Sequence, residues 1–289
     1  MKYIFYIIIL LFLIASKIIK FKFKRFRSKK KNKIRTAKDI FLPHKVYIES
    51  HRGVNMEIFQ NTLESFKRAI DYGADSIETD VWLTKDNVLV LLHAKNREGS
   101  LTNYYDHPGN VMDLTWAELL NYRTIRDNQT MPRLSDLMII AKDKIFINLE
   151  IKDQRIDLVF PLLVKLIEQY DFFDQISLGS TSFEYYNKVQ EFNKNNNKQL
   201  TFVFIYDKFQ ENLFDYSKRG STLNIYWKDA KKYVCQKAHE NGMAIIAWID
   251  INEVENIDMY KVLIENGVDT ICCNNLKLAK NFIKDYYKL

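Results

Sequence analysis

From residue 46 onward the chain repeats one rhythm: a short β-branched or aromatic run, a polar turn, then a stretch with apolar residues three and four apart. The runs predict eight strands, at 46–50, 76–82, 145–151, 176–178, 201–205, 223–226, 244–248 and 270–272. Their apolar character is continuous rather than alternating, as in parallel strands covered on both faces. The intervening spacing predicts helices at 62–72, 158–170, 183–192, 230–240, 254–266 and 276–286, with Leu63, Phe66 and Ile70 as the stripe of the first. Gly73, Gly242 and Gly267 follow three of these helices, where a left-handed cap is expected. Eight strand–helix units indicate an α/β chain folded as a (β/α)₈ TIM barrel. An open doubly wound sheet is the alternative, but no glycine-rich phosphate loop supports it. One irregular excursion, from Leu83 to about Lys144, interrupts the repeat. It carries a hairpin-like pair, TKDN then VLVLLH, and the loop aromatics Tyr104 and Tyr105, which receive no assigned role.

Ahead of the barrel the pattern changes. Residues 3–16 read YIFYIIILLFLIAS, fourteen positions without a charge, and twelve Lys or Arg follow between Lys17 and Lys38 with no acidic residue among them. A spanning helix wants about 20 apolar residues, which this run approaches only if Lys17 and Lys20 snorkel. The expected organisation is an apolar anchor helix at 1–20, a polybasic juxtamembrane linker at 21–43 and a catalytic domain at 44–289. Basic flanks stay cytosolic, so the domain is expected on the cytosolic side of a single-pass anchor. Residues 17–38 are also expected to attract anionic membrane lipids. The competing readings are a helix lying in the interface, and a signal peptide at 1–16 that would make the protein secreted or lumenal.

The net charge of +7 belongs to this leader. All 36 acidic residues lie at or after Asp39 and 13 of the 43 basic ones lie before it, which leaves the body 30 basic against 36 acidic side chains, a balance of −6. An acidic body argues against a nucleic-acid partner. Cys235, Cys272 and Cys273 have no metal-knuckle spacing and read as buried free thiols.

The polar residues at the strand ends carry the chemistry. His51 and Arg52 follow the first strand, and His93 closes the run after the Lys85–Asn87 turn. Glu78 and Asp80 are two apart on the second strand and so share a face, as do Glu150 and Lys152 at the end of the third. Charges on buried strands need partners. Glu78, Asp80 and Glu150 supply three hard oxygen ligands suited to one divalent cation, Mg²⁺ or Ca²⁺. Two histidines beside a metal can act as general base and acid, and Arg52 with Lys152 can bind phosphate oxygens. The set suits phosphodiester cleavage. Taken singly, the carboxylates could instead form a buried ion-pair network, and Glu150 with Lys152 a salt bridge between neighbours.

HRG at 51–53, FQNTLESFKRAIDYGADSIETDVWLTKDNVLVLLH at 59–93, MPRLSDLM at 131–138 and INLEIK at 147–152 together resemble the glycerophosphodiester phosphodiesterase family, in its membrane-anchored type. The resemblance implies a (β/α)₈ barrel with metal-holding carboxylates at Glu78, Asp80 and Glu150. It also implies catalytic histidines at His51 and His93 and a phosphate-binding pair at Arg52 and Lys152. Trp248 and Asn61 are expected at the pocket. Three departures stand out: Ala94 where the family has Asp after His, Gln60 where it has Glu, and Cys273-Asn274-Asn275-Leu276 where its last strand ends Thr-Asp-Arg/Tyr-Pro. The implied reaction is metal-dependent hydrolysis of a glycerophosphodiester to glycerol phosphate and an alcohol. A lysophospholipase D acting on a lysophospholipid at the membrane is the close rival. An inactive barrel that binds lipid or a partner is the distant one. His44, His107 and His239 pair with no ligand set and read as surface or structural.

Overall fold

The computed structural model describes residues 45–94, 96–206 and 222–288. The expectations for the leader, for His44 and for the 1–20 and 21–43 segments therefore lie outside the described residues. Among the described residues, no helix is long and apolar enough to cross a membrane.

Among the described residues, nine strands form one sheet: β1 (Tyr47–His51), β2 (Ser76–Leu83), β3 (Leu89–Leu91), β4 (Phe146–Ile151), β5 (Ile176–Ser180), β6 (Thr201–Tyr206), β7 (Thr222–Tyr226), β8 (Ala244–Trp248) and β9 (Thr270–Cys273). Eight of them are parallel neighbours in the order β1-β9-β8-β7-β6-β5-β4-β2, and pairing of β1 with β2 closes the ring. The architecture is an eight-stranded parallel barrel with outer helices. β3 is the exception, running antiparallel beside β2 outside the ring, as the Lys85–Asn87 turn requires.

The helices are α1 (Leu63–Asp71), α2 (Trp116–Leu119), α3 (Leu134–Ala141), α4 (Ile156–Gln169), α5 (Phe183–Asn195), α6 (Lys232–Glu240), α7 (Ile257–Asn266) and α8 (Leu276–Tyr286). Their starts follow cap chemistry more than apolar spacing. Thr62, Asn256 and Asn275 accept the first-turn N–H groups of Ser65, Met259 and Leu278. Hence α7 begins at Ile257 and not at Val254; α6, whose N-cap Lys231 makes no side-chain cap, begins at Lys232 after a single 3₁₀ turn over Trp227–Asp229. Gly267 ends α7 in the left-handed region at φ 90°, as the sequence predicts.

The core lies between barrel and helices, where Ile48, Phe66, Ile77, Ile147, Leu149 and Leu163 are fully buried. The barrel interior is different in kind. On β1, β2, β4 and β5 its lower layer is polar: Ser76 Oγ and Asn148 Nδ2 donate to the buried Glu49 carboxyl at 2.8 and 3.1 Å, and Ser177 Oγ donates to Asn148 Oδ1 at 3.1 Å. Burial pushes the Glu49 carboxyl up, against those hydrogen bonds. On β6, β8 and β9 the interior is apolar, with Val203, Ile205, Ile246 and Cys272 packed together. The three cysteines are buried and free.

Candidate active site

Strand register sets the site. β1 places His51 opposite Glu78 on β2, and β2 places Asp80 opposite Glu150 on β4. All four point into the ring at its C-terminal end, where barrel active sites are built. One carboxylate oxygen from each of Glu78, Asp80 and Glu150 lies within 4.8 Å of the others.

The turn after β1 explains the HRG run. Arg52 and Gly53 both adopt positive φ, 58° and 82°, and a Cβ on Gly53 would meet Ser65 Oγ at 2.3 Å. Arg52 N donates to Glu78 O, and Asn61 N (Asn61 itself at φ 54°) donates to Arg52 O, both at 3.0 Å. Backbone in this region persists where its surroundings over-determine it. Here the result aims Arg52 inward: Nε lies 3.4 Å from Asp80 Oδ2, and Nη1 donates to Gln60 Oε1 at 2.8 Å. Gln60 thus keeps a polar contact in the position where a carboxylate was expected.

Asn61 is a correction. It is 2% exposed and is not part of the cavity wall; Gln60 is. Asn61 Nδ2 donates to Asp80 Oδ2 at 3.2 Å while its Oδ1 accepts from Thr79 Oγ1 at 2.7 Å, so it braces a carboxylate from behind.

Lys152 Nζ pairs with Glu150 Oε1 and lies 3.5 Å from Asp80 Oδ1. Burial raises Glu78 far above the usual carboxylate range, and the charge of Asp80 adds to it. Burial also raises Glu150, although Lys152 opposes it. Burial would raise Asp80 too, but His93, Lys152 and Arg52, with the Asn61 hydrogen bond, pull it down to about 2. The cluster is therefore short of positive charge. Glu78 Oε2 and Asp80 Oδ1 are buried and accept no hydrogen bond. Two buried oxygens without a hydrogen bond, in a converging trio of hard donors, fit a divalent cation, and the trio could hold one.

His51 is buried, and its Nδ1 lies 2.9 Å from Asn274 Oδ1. Burial, helped by the Arg52 charge, holds its pKa well below the ordinary histidine value. His93 Nδ1 lies 3.0 Å from the Tyr104 hydroxyl. Tyr104 and Tyr105 are not exposed loop aromatics: at 8% and 4% exposure they pack with Trp82, Leu92 and Leu101 beneath the excursion, and Tyr104 reaches the cavity wall. The excursion holds them by folding back on β2 and β3, a tertiary event with no local signal.

The cavity at this mouth measures about 620 Å³ and is lined by His51, Arg52, Glu78, His93, Glu150 and Lys152, with Asp80 buried beneath. Gly179 on β5 leaves the room that Ile205 of the cavity wall occupies, since a Cβ there would strike Ile205 Cδ1 at 2.8 Å. Asn96, Ser100, Thr102, Asn103, Asp250 and Asn252 make the outer wall polar, and Trp248 forms its aromatic side, 5.0 Å from the ring of Tyr226. Tyr104, Asn224 and Asn274 are the residues that sequence reasoning left unassigned. Asn274 lies inside the divergent last-strand motif, which was the one available signal. His107 packs at a tilt against the ring of Tyr122 and His239 pairs with Asp269, both away from the cavity.

Comparison with known proteins bears on the family and the fold. The model of the glycerophosphoryl diester phosphodiesterase family matches residues 51–278. A glycerophosphodiester phosphodiesterase of Caldanaerobacter subterraneus subsp. tengcongensis is 30% identical over 154 residues, which cover 50% of this chain and 60% of that protein. Among solved structures, one from Galdieria sulphuraria superposes with a TM-score of 0.74 at 23% identity, covering 83% of this chain and 98% of that one. An Oleispira antarctica phosphodiesterase, solved in complex with its product sn-glycerol-3-phosphate, gives 0.72 at 17% identity over 82% and 96%.

Proposed function

Because the chain belongs to the glycerophosphoryl diester phosphodiesterase family, we propose that it hydrolyses glycerophosphodiesters to glycerol phosphate and an alcohol at the mouth of the barrel. The observation that carries this reading is the buried Glu78–Asp80–Glu150 trio with His51, His93, Arg52 and Lys152 gathered around it. In this reading Arg52 and Lys152 take the phosphate oxygens and stabilise the charge that grows on them. His51, kept neutral by burial and carrying its proton on Nδ1, accepts the proton of the attacking hydroxyl at Nε2. His93 then protonates the departing alkoxide as its phosphorus–oxygen bond breaks; the attacking hydroxyl being the substrate's own free glycerol hydroxyl, this leaves a cyclic phosphate, which water opens to glycerol phosphate. A divalent cation, Mg²⁺ or Ca²⁺, held by the three carboxylates would supply Lewis-acid polarisation of a phosphoryl oxygen.

The polar side chains of the outer wall, set against Ile251 and Trp248 as its apolar members, support a small soluble diester over a lysophospholipid, whose acyl chain would want a continuous apolar groove. The leader readings are proposals of the same standing. Fourteen uncharged positions followed by twelve basic ones support a membrane anchor with lipid-attracting flank and a cytosolic domain. Alkaline extraction of cell membranes tests that reading: a protein released by carbonate is not anchored.

The reaction is tested on the full chain in mild detergent, with glycerophosphocholine or lysophosphatidylcholine and with Mg²⁺, Ca²⁺ or a chelator. Metal-dependent release of glycerol phosphate, lost in Glu78→Ala, is expected. A metal-induced rise in melting temperature, also lost in Glu78→Ala, reports the cation independently of turnover. Cleavage that persists in chelator, or in Glu78→Ala, sinks the proposal.

A further inference from the structure

One buried polar side chain at the cavity has no place in the chemistry above. Asn224 sits on β7 facing the barrel interior, 4% exposed, and lines the same cavity as His51 and Glu150. Its register neighbours are Ile205 on β6 and Ile246 on β8, neither of which offers a hydrogen bond from its side chain. Asn224 Oδ1 is buried and accepts no hydrogen bond. A leucine of nearly the same volume would pack between two isoleucines without that desolvation cost. An amide kept there at a cost to stability is the pattern of a residue retained for a ligand.

Position and chemistry say which part of the ligand. β7 is the fourth strand from β2 in either direction around the ring, so Asn224 faces the metal-binding wall across the barrel. The same cavity reaches from the carboxylates, Arg52 and Lys152 to Asn224, so a diester whose phosphate lay over the former would have Asn224 in reach of its glycerol end. A neutral amide both donates and accepts, which complements a hydroxyl and leaves no charge unpaired.

We propose that Asn224 is a substrate-contacting residue that hydrogen-bonds a hydroxyl of the glycerol moiety and so selects polyol phosphates over plain alkyl phosphates. The proposal rests on the phosphodiesterase reading of this mouth. Its test is chosen to fail separately from that reading. Calorimetry on the full chain would compare sn-glycerol 3-phosphate with n-propyl phosphate, which has the same three-carbon length and lacks both glycerol hydroxyls. The wild-type protein is expected to favour glycerol phosphate by about tenfold, the scale of one hydroxyl contact in a buried site. In Asn224→Leu the ratio is expected to fall toward one, through weaker glycerol phosphate binding. The ligand-free Leu variant should melt at or above the wild-type temperature. Should the leucine variant fail to fold, Asn224→Ala reads the same ratio. A preference that survives the substitution, or a wild-type protein with none, overturns the proposal whether or not diesters are cleaved. A preference lost in Asn224→Leu, in a protein that cleaves no diester, keeps the Asn224 assignment and removes the hydrolytic reading instead.

Discussion

Asn274 fixes the orientation of His51. Its Nδ2 donates to the carbonyls of Ile249 and Asp250 at 3.1 and 3.2 Å, so its Oδ1 is turned toward His51 Nδ1 at 2.9 Å and Asn55 Nδ2 at 2.7 Å. Its backbone N–H is held in turn by Glu255 Oε1 at 2.5 Å. With an acceptor against it, Nδ1 carries the imidazole proton, and Nε2 is left with its lone pair on the side of Glu78, whose Oε2 lies 3.8 Å away. Where a carboxylate was expected, the last strand thus supplies an amide, which sets the tautomer without adding negative charge.

Replacing Asn274 by leucine removes the acceptor and lets the ring rotate. The expected outcome is a fall in kcat of about 10–100-fold, the usual effect of losing a group that orients a reacting side chain. KM should change much less. Asn274→Asp keeps an acceptor and adds a charge that favours the imidazolium, so it should retain more activity while its pH–rate profile moves toward higher pH. Steady-state kinetics over a pH series measures both. An Asn274→Leu enzyme whose loss lies wholly in KM would contradict the orienting role.

Tyr104 does for His93 what the residue after the histidine cannot do, because Ala94 has no polar side chain. Burial raises the Tyr104 hydroxyl above its ordinary range, so it stays protonated through neutral pH and can donate or accept at 3.0 Å from Nδ1. One neutral hydrogen bond is worth about 1 kcal/mol, so Tyr104→Phe should lower kcat about fivefold. The ring packing is retained, so the melting temperature should hardly move. A Phe variant with wild-type kcat across the pH range would show that His93 is held by other contacts.

The barrel is legible in eight repeats of a continuous apolar run followed by a helical period, and its carboxylates in the period of two along a strand. Glu78 with Asp80, and Glu150 with Lys152, share faces by spacing alone, and register then brings β2 and β4 together. What stayed illegible depends on contacts between distant segments. Tyr104 reaches His93 only because the excursion folds under β3, and Asn274 reaches His51 only because β9 closes against β1. Asn61 lies behind Asp80 and not at the cavity because its backbone takes a positive φ, a conformation no spacing rule reports. The helix starts moved where asparagine or threonine caps overruled the apolar period, as at Ile257.

The last expectation concerns stability and lies away from the cavity. His239, in the final turn of α6, places Nε2 2.9 Å from Asp269 Oδ2, and that hydrogen bond raises its pKa above the ordinary value of 6.5. Charge at a helix C-terminus is favourable for a cation, which acts in the same direction. A raised folded-state pKa means that the contribution is complete below the unfolded value and is lost as pH rises through the folded value. Asp269 also accepts from Ile245 N at 2.7 Å, so it keeps a structural role when the histidine is neutral. The side chains are 43% and 22% exposed, and solvent screens the pair. His239→Asn should therefore lower the melting temperature by at most about 2 °C at about pH 5.5, with the gap closing near about pH 9. Added salt should narrow the low-pH gap. Thermal melts of the two proteins across that range decide it, and a gap that widens with rising pH would reverse the sign and remove the ion pair as its cause.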